Sequence, residues 1–195
     1  MGIILNTPLA FLSYPHLAKP QVDPKKPGAA PKFGVALVFT ADKDVSAIRD
    51  AIVKVAVEKF GTKAAKQIEN GALDVAFRAN ARRDEFEQRA PGGFYLNART
   101  IHQPTLVYPW PDAGDPKKPA RVPQDEIAKV FRAGALVRGN IDVYAFDMPE
   151  KKGVTFGLNG LQFVEKGTPW TGAPDAQDVF DTLAETPNFD NLEAA

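Results

Sequence analysis

Two long strand candidates near the C-terminal end, ALVRGNIDVYAFD (135–147) and VTFGLNGLQFVE (154–165), are separated only by residues 148–153. So short a connection joins antiparallel neighbours as a hairpin, because parallel strands need a crossover of a dozen residues or more. KFGVALVFT (32–40) places Phe33, Val35, Leu37 and Phe39 at period two, as a half-buried strand requires. Residues 8–14, VAFRAN (75–80) and GFYLNARTI (93–101) supply further strands, and a short one falls within residues 104–123, where six prolines favour an extended loop. The period changes only between Asp42 and Phe60. There Val45, Ile48, Ile52, Val55, Ala56 and Phe60 share a helical face, with Asp42 or Asp44 available as N-cap and Gly61 as terminator. Residues 62–70 continue this helix after a break, 82–93 read as a charged loop ending in a turn at Pro91, Gly92 and Gly93, and 125–131 add a helical turn. A mainly β chain with one or two helices, and no long helix between its late strands, argues against a βαβ fold. It favours an antiparallel barrel or sandwich with a helix on one side.

The length of 195 residues accommodates one domain with elaborations and would cramp two. Hydrophobic residues at 44% and charged residues at 25% are ordinary for a soluble globular chain, and the absence of cysteine excludes disulfides, thiolate metal sites and thiol catalysis. The N-terminal MGIILNTPLAFLSYP lacks a basic leader region, and Asn6, Pro8 and Ser13 interrupt it well short of a membrane span, so it reads as mature sequence. Asn6 also stands where a myristoylation motif requires Ser or Thr. A formal net charge of zero conceals a division. Residues 174–195 hold six acids and no Lys or Arg, leaving 18 acidic against 24 basic side chains in residues 1–173. The division suggests a basic domain over 1–173 that meets polyanions and an acidic tail that modulates access to it, although a polar terminus that only aids solubility has the same composition.

Catalytic constellations are sparse. His16 and His102 are not at metal-ligand spacing, and Phe60, Gly61, Thr62 and Lys63 resemble the end of a phosphate loop but follow a helix rather than a strand. Asp84, Glu85 and Glu87 are the one group that could hold Mg²⁺, but they lie among Arg82, Arg83 and Arg89, as expected of a solvated, ion-paired loop. No catalytic residue, metal site or cofactor is expected.

A binding surface emerges from strand alternation. With Phe94, Leu96 and Ala98 inward, Tyr95, Asn97 and Arg99 project outward; with Val137, Ile141 and Val143 inward, Arg138, Asn140, Asp142, Tyr144 and Phe146 do the same. Inward Val75 and Phe77 leave Arg78 and Asn80 outward, just ahead of Arg82 and Arg83, while Tyr108, Trp110, Lys117 and Lys118 in the proline-rich stretch could extend the surface. Arg, Asn and rings on one face suit unpaired nucleic acid, whose bases stack on aromatics at roughly 1–3 kcal/mol each while guanidinium groups meet phosphates. The alternative is that a helix or loop covers Tyr144 and Phe146, and that Arg99 and Arg138 are ordinary surface charges. In the tail, Asp178, Phe180, Asp181, Phe189 and Asp190 would meet a basic partner, with Val179, Phe180 and Leu183 along one edge of a short helix that orders on binding.

Several segments together resemble a family of tailed-phage single-stranded DNA-binding proteins: Leu12-Ser13-Tyr14-Pro15-His16-Leu17, Lys32 to Phe39, the helix, Gly93-Phe94-Tyr95-Leu96-Asn97-Ala98-Arg99, residues 139–146, Gly157-Leu158-Asn159-Gly160-Leu161-Gln162-Phe163-Val164 and the acidic tail. The resemblance implies an OB-fold-like antiparallel β-barrel, with no enzymatic activity, that coats single strands in phage DNA replication or recombination within the host cytoplasm. It also implies a tail that recruits replication or recombination proteins and competes for the DNA groove, and self-association along DNA is compatible with it. The proline-rich residues 109–123 depart from the pattern. Two other classes stay open: a structural or accessory virion β-sandwich, and a metal-dependent nuclease using Asp84, Glu85 and Glu87.

Overall fold

The computed structural model describes residues 2–24 and 28–170. The tail positions Asp178, Phe180, Asp181, Phe189 and Asp190 lie outside the described residues. In chain order the strands are β1 (Ile3–Asn6), β2 (Ala10–Gln21), β3 (Lys32–Phe39), β4 (Asp74–Val75), β5 (Phe77–Ala79), β6 (Phe94–Thr100), β7 (Thr105–Pro111), β8 (Pro119–Arg121), β9 (Leu136–Met148) and β10 (Lys151–Glu165). The helices are α1 (Ser46–Phe60), α2 (Ala64–Glu69), α3 (Asp84–Arg89) and α4 (Ile127–Val130).

The expected hairpin is present, with β9 and β10 antiparallel from Lys151↔Met148 to Glu165↔Leu136. Around it the pairings close on themselves: β9 pairs with β2, β2 with β3, β3 with β6, β6 with β10, and β10 with β9 again. Four of these seams are antiparallel and one, β6 against β10, is parallel. Closure removes the free edges that a five-stranded open sheet would expose. β1 extends the edge of β9 beside β2, and the two are bridged where the Thr7 amide donates to the Gly139 carbonyl at 2.8 Å and the Gly139 amide donates to Thr7 Oγ1 at 2.9 Å. β7 and then β8 add to the other side of β10.

The barrel is filled by the alternation read in the sequence: Val35, Leu37, Phe39, Leu96, Ala98, Val137, Ile141 and Val143 are all buried in one core. α1 joins that core with Ile48, Ala51, Ile52, Val55 and Ala56, packing against β9, β1 and β10. Its N-terminus is held where the Ser46 amide donates to Asp44 Oδ1 at 2.9 Å, and Gly61, at φ +83°, ends it.

Residues 82–93 are not the solvated loop expected. They contain α3, whose acidic first turn and basic Arg89 complement the helix dipole. Phe86 is fully buried against the outside of the β3–β6 wall, and Ala36, Val38, Ala90 and Tyr95 complete this second, smaller core. Asn80 anchors it, donating through Nδ2 to the carbonyls of Ala90 at 2.7 Å and Phe39 at 3.1 Å. Replacing Phe86 with Ala should therefore cost about 3–5 kcal/mol of stability, seen as a lower denaturation midpoint at unchanged slope, whereas Gln88→Ala on the exposed side of α3 should leave the midpoint in place.

Candidate nucleic-acid interface

The open outer wall of the barrel carries two clefts that share a boundary. The first, of about 380 Å³, lies over β2, β3 and β6 and is lined by Tyr14, His16, Lys32, Gly34, Arg83, Asn97 and Arg99 together with residues of the loop after β2. The second, of about 700 Å³, runs over β6, β10 and β9 past Lys32, Asn97, Arg99, Tyr144, Phe146, Met148, Lys151, Thr155 and Gly157. Lys32, Asn97 and Arg99 line both, so the two form one trough across five strands. Strand pairing aligns its parts: Gly34 lies opposite Arg99 and Ala36 opposite Asn97.

Each end of the trough has an aromatic. At one end β2 carries a bulge, setting two residues, Tyr14 and Pro15, between Ser13↔Ala36 and His16↔Gly34 where β3 has only Val35, and Tyr14 takes φ +47°. Bulges re-aim side chains. This one brings the Tyr14 ring beneath the Arg83 guanidinium at 5.7 Å and lets the hydroxyl donate to Glu85 at 2.7 Å. Arg83 also lies 5.3 Å from the Phe86 ring and 5.5 Å from Tyr95, so three rings hold one cation at the trough wall. At the other end Tyr144 is 39% exposed and Phe146 half-buried.

The electrostatics are mixed but leave cations facing outward. Arg78 is tied to Asp74 at 2.8 Å, and the second oxygen of that carboxylate takes Lys151 at 2.9 Å. Burial opposes the Asp74 charge, but hydrogen bonds from Lys151 and Arg78 outweigh it and hold the carboxyl below its usual pKa. Burial and then the Arg99 charge push the His16 imidazole below its ordinary value, so it is neutral at pH 7.

The expected trough of Tyr95, Arg99, Arg138 and Tyr144 is only half assembled. Arg99 and Tyr144 share the second cleft with Asn97 and Phe146, and Arg83 joins through the first. Tyr95 does leave the barrel on its outer side, but it is 2% exposed because Phe86 of α3 packs edge-on against its ring at 5.0 Å, so it has no face for a base. Arg78 is occupied by Asp74, and Arg82 is exposed at the end of the 3₁₀ turn Asn80–Arg82 outside both clefts. Arg138 belongs to a third cleft of about 400 Å³, where it meets Gln162 and a run of amides in which Asn140 donates to Asn6 at 2.8 Å and Asn159 to Asn140 at 3.0 Å. Tyr108 and Trp110 stack on each other at 4.3 Å on β7. Thr105 and Val107 line the Arg138 cleft, so alternation turns Tyr108 and Trp110 away from it. Trp110 is 50% exposed and Tyr108 donates to Glu126 at 2.5 Å.

Tyr14, His16 and Lys32 were missed as site residues. The signal available for Tyr14 was an aromatic immediately before a proline inside a strand, where regular pairing is disfavoured. Among the described residues no group of three His, Asp or Glu side chains is placed to hold a metal ion.

A ring of five paired strands with further strands and helices outside it is an OB-like architecture. The structure of the single-stranded DNA-binding protein from bacteriophage Enc34 in complex with ssDNA has the same fold, with a TM-score of 0.67 at 18% identity over 86% of this chain and 89% of that one. Gp2.5, a single-stranded DNA binding protein encoded by bacteriophage T7, gives 0.60 at 15% identity over 88% and 97%. The chain belongs to the family of the Enterobacter phage Enc34 ssDNA-binding protein, whose sequence pattern matches residues 1–190. None of the curated proteins matches it by sequence.

Because Arg99 faces His16 across the trough, Arg99→Gln should raise the His16 pKa towards about 6.5, read by NMR titration of the imidazole; an unchanged value would assign the depression to burial alone. With the native pKa below the unfolded one, the contribution of the neutral imidazole to stability is complete above the unfolded value and is lost as pH falls through the native one.

Proposed function

We propose that this chain binds single-stranded DNA, without strong sequence preference, along the trough from Tyr14 and Arg83 past Asn97 and Arg99 to Tyr144 and Phe146, in the service of phage DNA replication and recombination in the host cytoplasm. One observation carries the reading: the two clefts meet at Lys32, Asn97 and Arg99, so cations at the centre are flanked by rings at both ends. Phosphates would meet Lys32, Arg83 and Arg99, and bases would stack on the exposed rings. Binding without catalysis is supported by the use made of the acidic group on α3: Glu85 accepts from Tyr14 and pairs with Arg83, and Glu87 accepts the Gly92 amide. No helix among the described residues is long and apolar enough to cross a membrane. Arg138, with its amide neighbours, is a candidate for a more distant segment of the same strand.

Fluorescence titration with oligo-dT at several salt concentrations tests this. Neutralising four to six phosphates should give a log K against log[salt] slope of roughly −3 to −4, and Tyr144→Ala should weaken binding by roughly 1–3 kcal/mol. Salt-independent affinity, or none for oligo-dT, would defeat the reading.

The tail is proposed to compete with DNA for the trough and to recruit partner proteins through Asp178, Phe180, Asp181, Phe189 and Asp190. Its charge supports this, since it holds six acids and no Lys or Arg while residues 1–173 carry an excess of basic side chains. Deleting residues 174–195 should tighten oligo-dT binding; unchanged or weaker binding would leave the tail without that role.

A further inference from the structure

One hydrogen-bonded row crosses the whole outer wall of the trough. His16 on β2 pairs with Gly34 on β3, Gly34 with Arg99 on β6, Arg99 with Gly157 on β10, and Gly157 with Asp142 on β9. Four inter-strand steps span about 19 Å, and Arg99 is the only side chain standing between His16 and Asp142. Both of its lateral neighbours are glycines. Glycine inside a strand weakens the strand, so two of them flanking one arginine call for a reason beyond folding.

The side chains around them supply it. A Cβ placed on Gly34 would lie 3.1 Å from Arg99 Cγ, so the arginine stem lies down across the β3 backbone. A Cβ on Gly157 would lie 3.5 Å from Tyr144 Cε1, so the tyrosine ring reaches diagonally from β9 to the space above Gly157 that a side chain there would enter. Side chains normally stand perpendicular to a sheet. With no side chain at Gly157, that space stays open to the exposed Tyr144 ring, on which a nucleobase can stack. The Arg99 stem leaning over Gly34 carries its guanidinium towards the loop after β2, where it lies 3.8 Å from the Asp23 carboxylate.

We propose that Gly34 and Gly157 are positioning residues for single-stranded DNA: Gly34 lets the Arg99 stem lean across β3 towards a backbone phosphate, and Gly157 leaves open the space in which the Tyr144 ring meets a base. The inference rests on the DNA-binding reading above and assigns a separable consequence to each glycine. Losing a phosphate contact changes the salt dependence of binding, whereas losing a stacked base does not.

The test is oligo-dT titration against salt for Gly34→Val and Gly157→Val, with thermal midpoints measured alongside. Gly34→Val should weaken binding and make the salt slope shallower by about 0.7, one phosphate's worth on a single strand. Gly157→Val should weaken binding about tenfold, within the range for one stacked base, at unchanged slope. Because valine is the better strand former, neither loss should come with a loss of stability. Each effect should vanish in the matching background, so that Gly34→Val adds nothing to Arg99→Ala and Gly157→Val adds nothing to Tyr144→Ala. Should either valine variant fail to fold, the serine substitution at the same position enters the same cycle. Wild-type protein that binds oligo-dT, with both glycine variants at wild-type affinity and slope or with additive double mutants, would overturn the proposal; wild-type protein that does not bind would overturn the function instead.

Discussion

Closure of the barrel through the β9–β10 hairpin is the constraint on which the remaining structure rests. β9 supplies the seam to β2 and the bed for β1, while β10 supplies the parallel seam to β6 and carries β7 and β4 outside the ring. Without that hairpin the wall formed by β2, β3 and β6 would be an open sheet with two reactive edges. With it, inside and outside become distinct, and a side chain on any of the five strands is committed by parity to the core or to the outer wall.

Parity alone leaves the outer wall undivided, and α3 divides it. By docking Phe86 on Ala36, Val38 and Tyr95, the short helix turns the upper part of the β3–β6 wall into a second core and leaves the part around Asn97 and Arg99 open. The same helix delivers Glu85 to the Tyr14 hydroxyl, and the turn before it delivers Arg83 to three rings. The packing that buries Tyr95 thus also fixes the Arg83 cation at the trough wall.

The trough combines side chains of different physical character. Lys32 and Arg99 present charge, which salt screens, whereas Tyr144 and Phe146 present apolar and π surface, which it does not. A floor with glycine on both sides of Arg99 leaves room for both kinds in one shallow groove, the Arg99 stem over Gly34 and the Tyr144 ring beside Gly157.

How much of this could be read beforehand follows from what is local. The hairpin, β3, β6, the buried face of α1 and the parity of Asn97, Arg99, Tyr144 and Phe146 were all legible, because spacing along the chain determines period and face. The division of charge between domain and tail was equally plain. The acidic first turn and basic last turn of α3 were present too, yet its six residues carry a single large apolar side chain, Phe86, too few for a periodic signal. What lay beyond the sequence was coverage: Tyr95 and Arg99 have the same outward parity, but one lies beneath a helix and the other beside two glycines. A strand's own residues determine which way a side chain leaves it; only the packing of distant segments determines whether water, protein or open groove awaits it there.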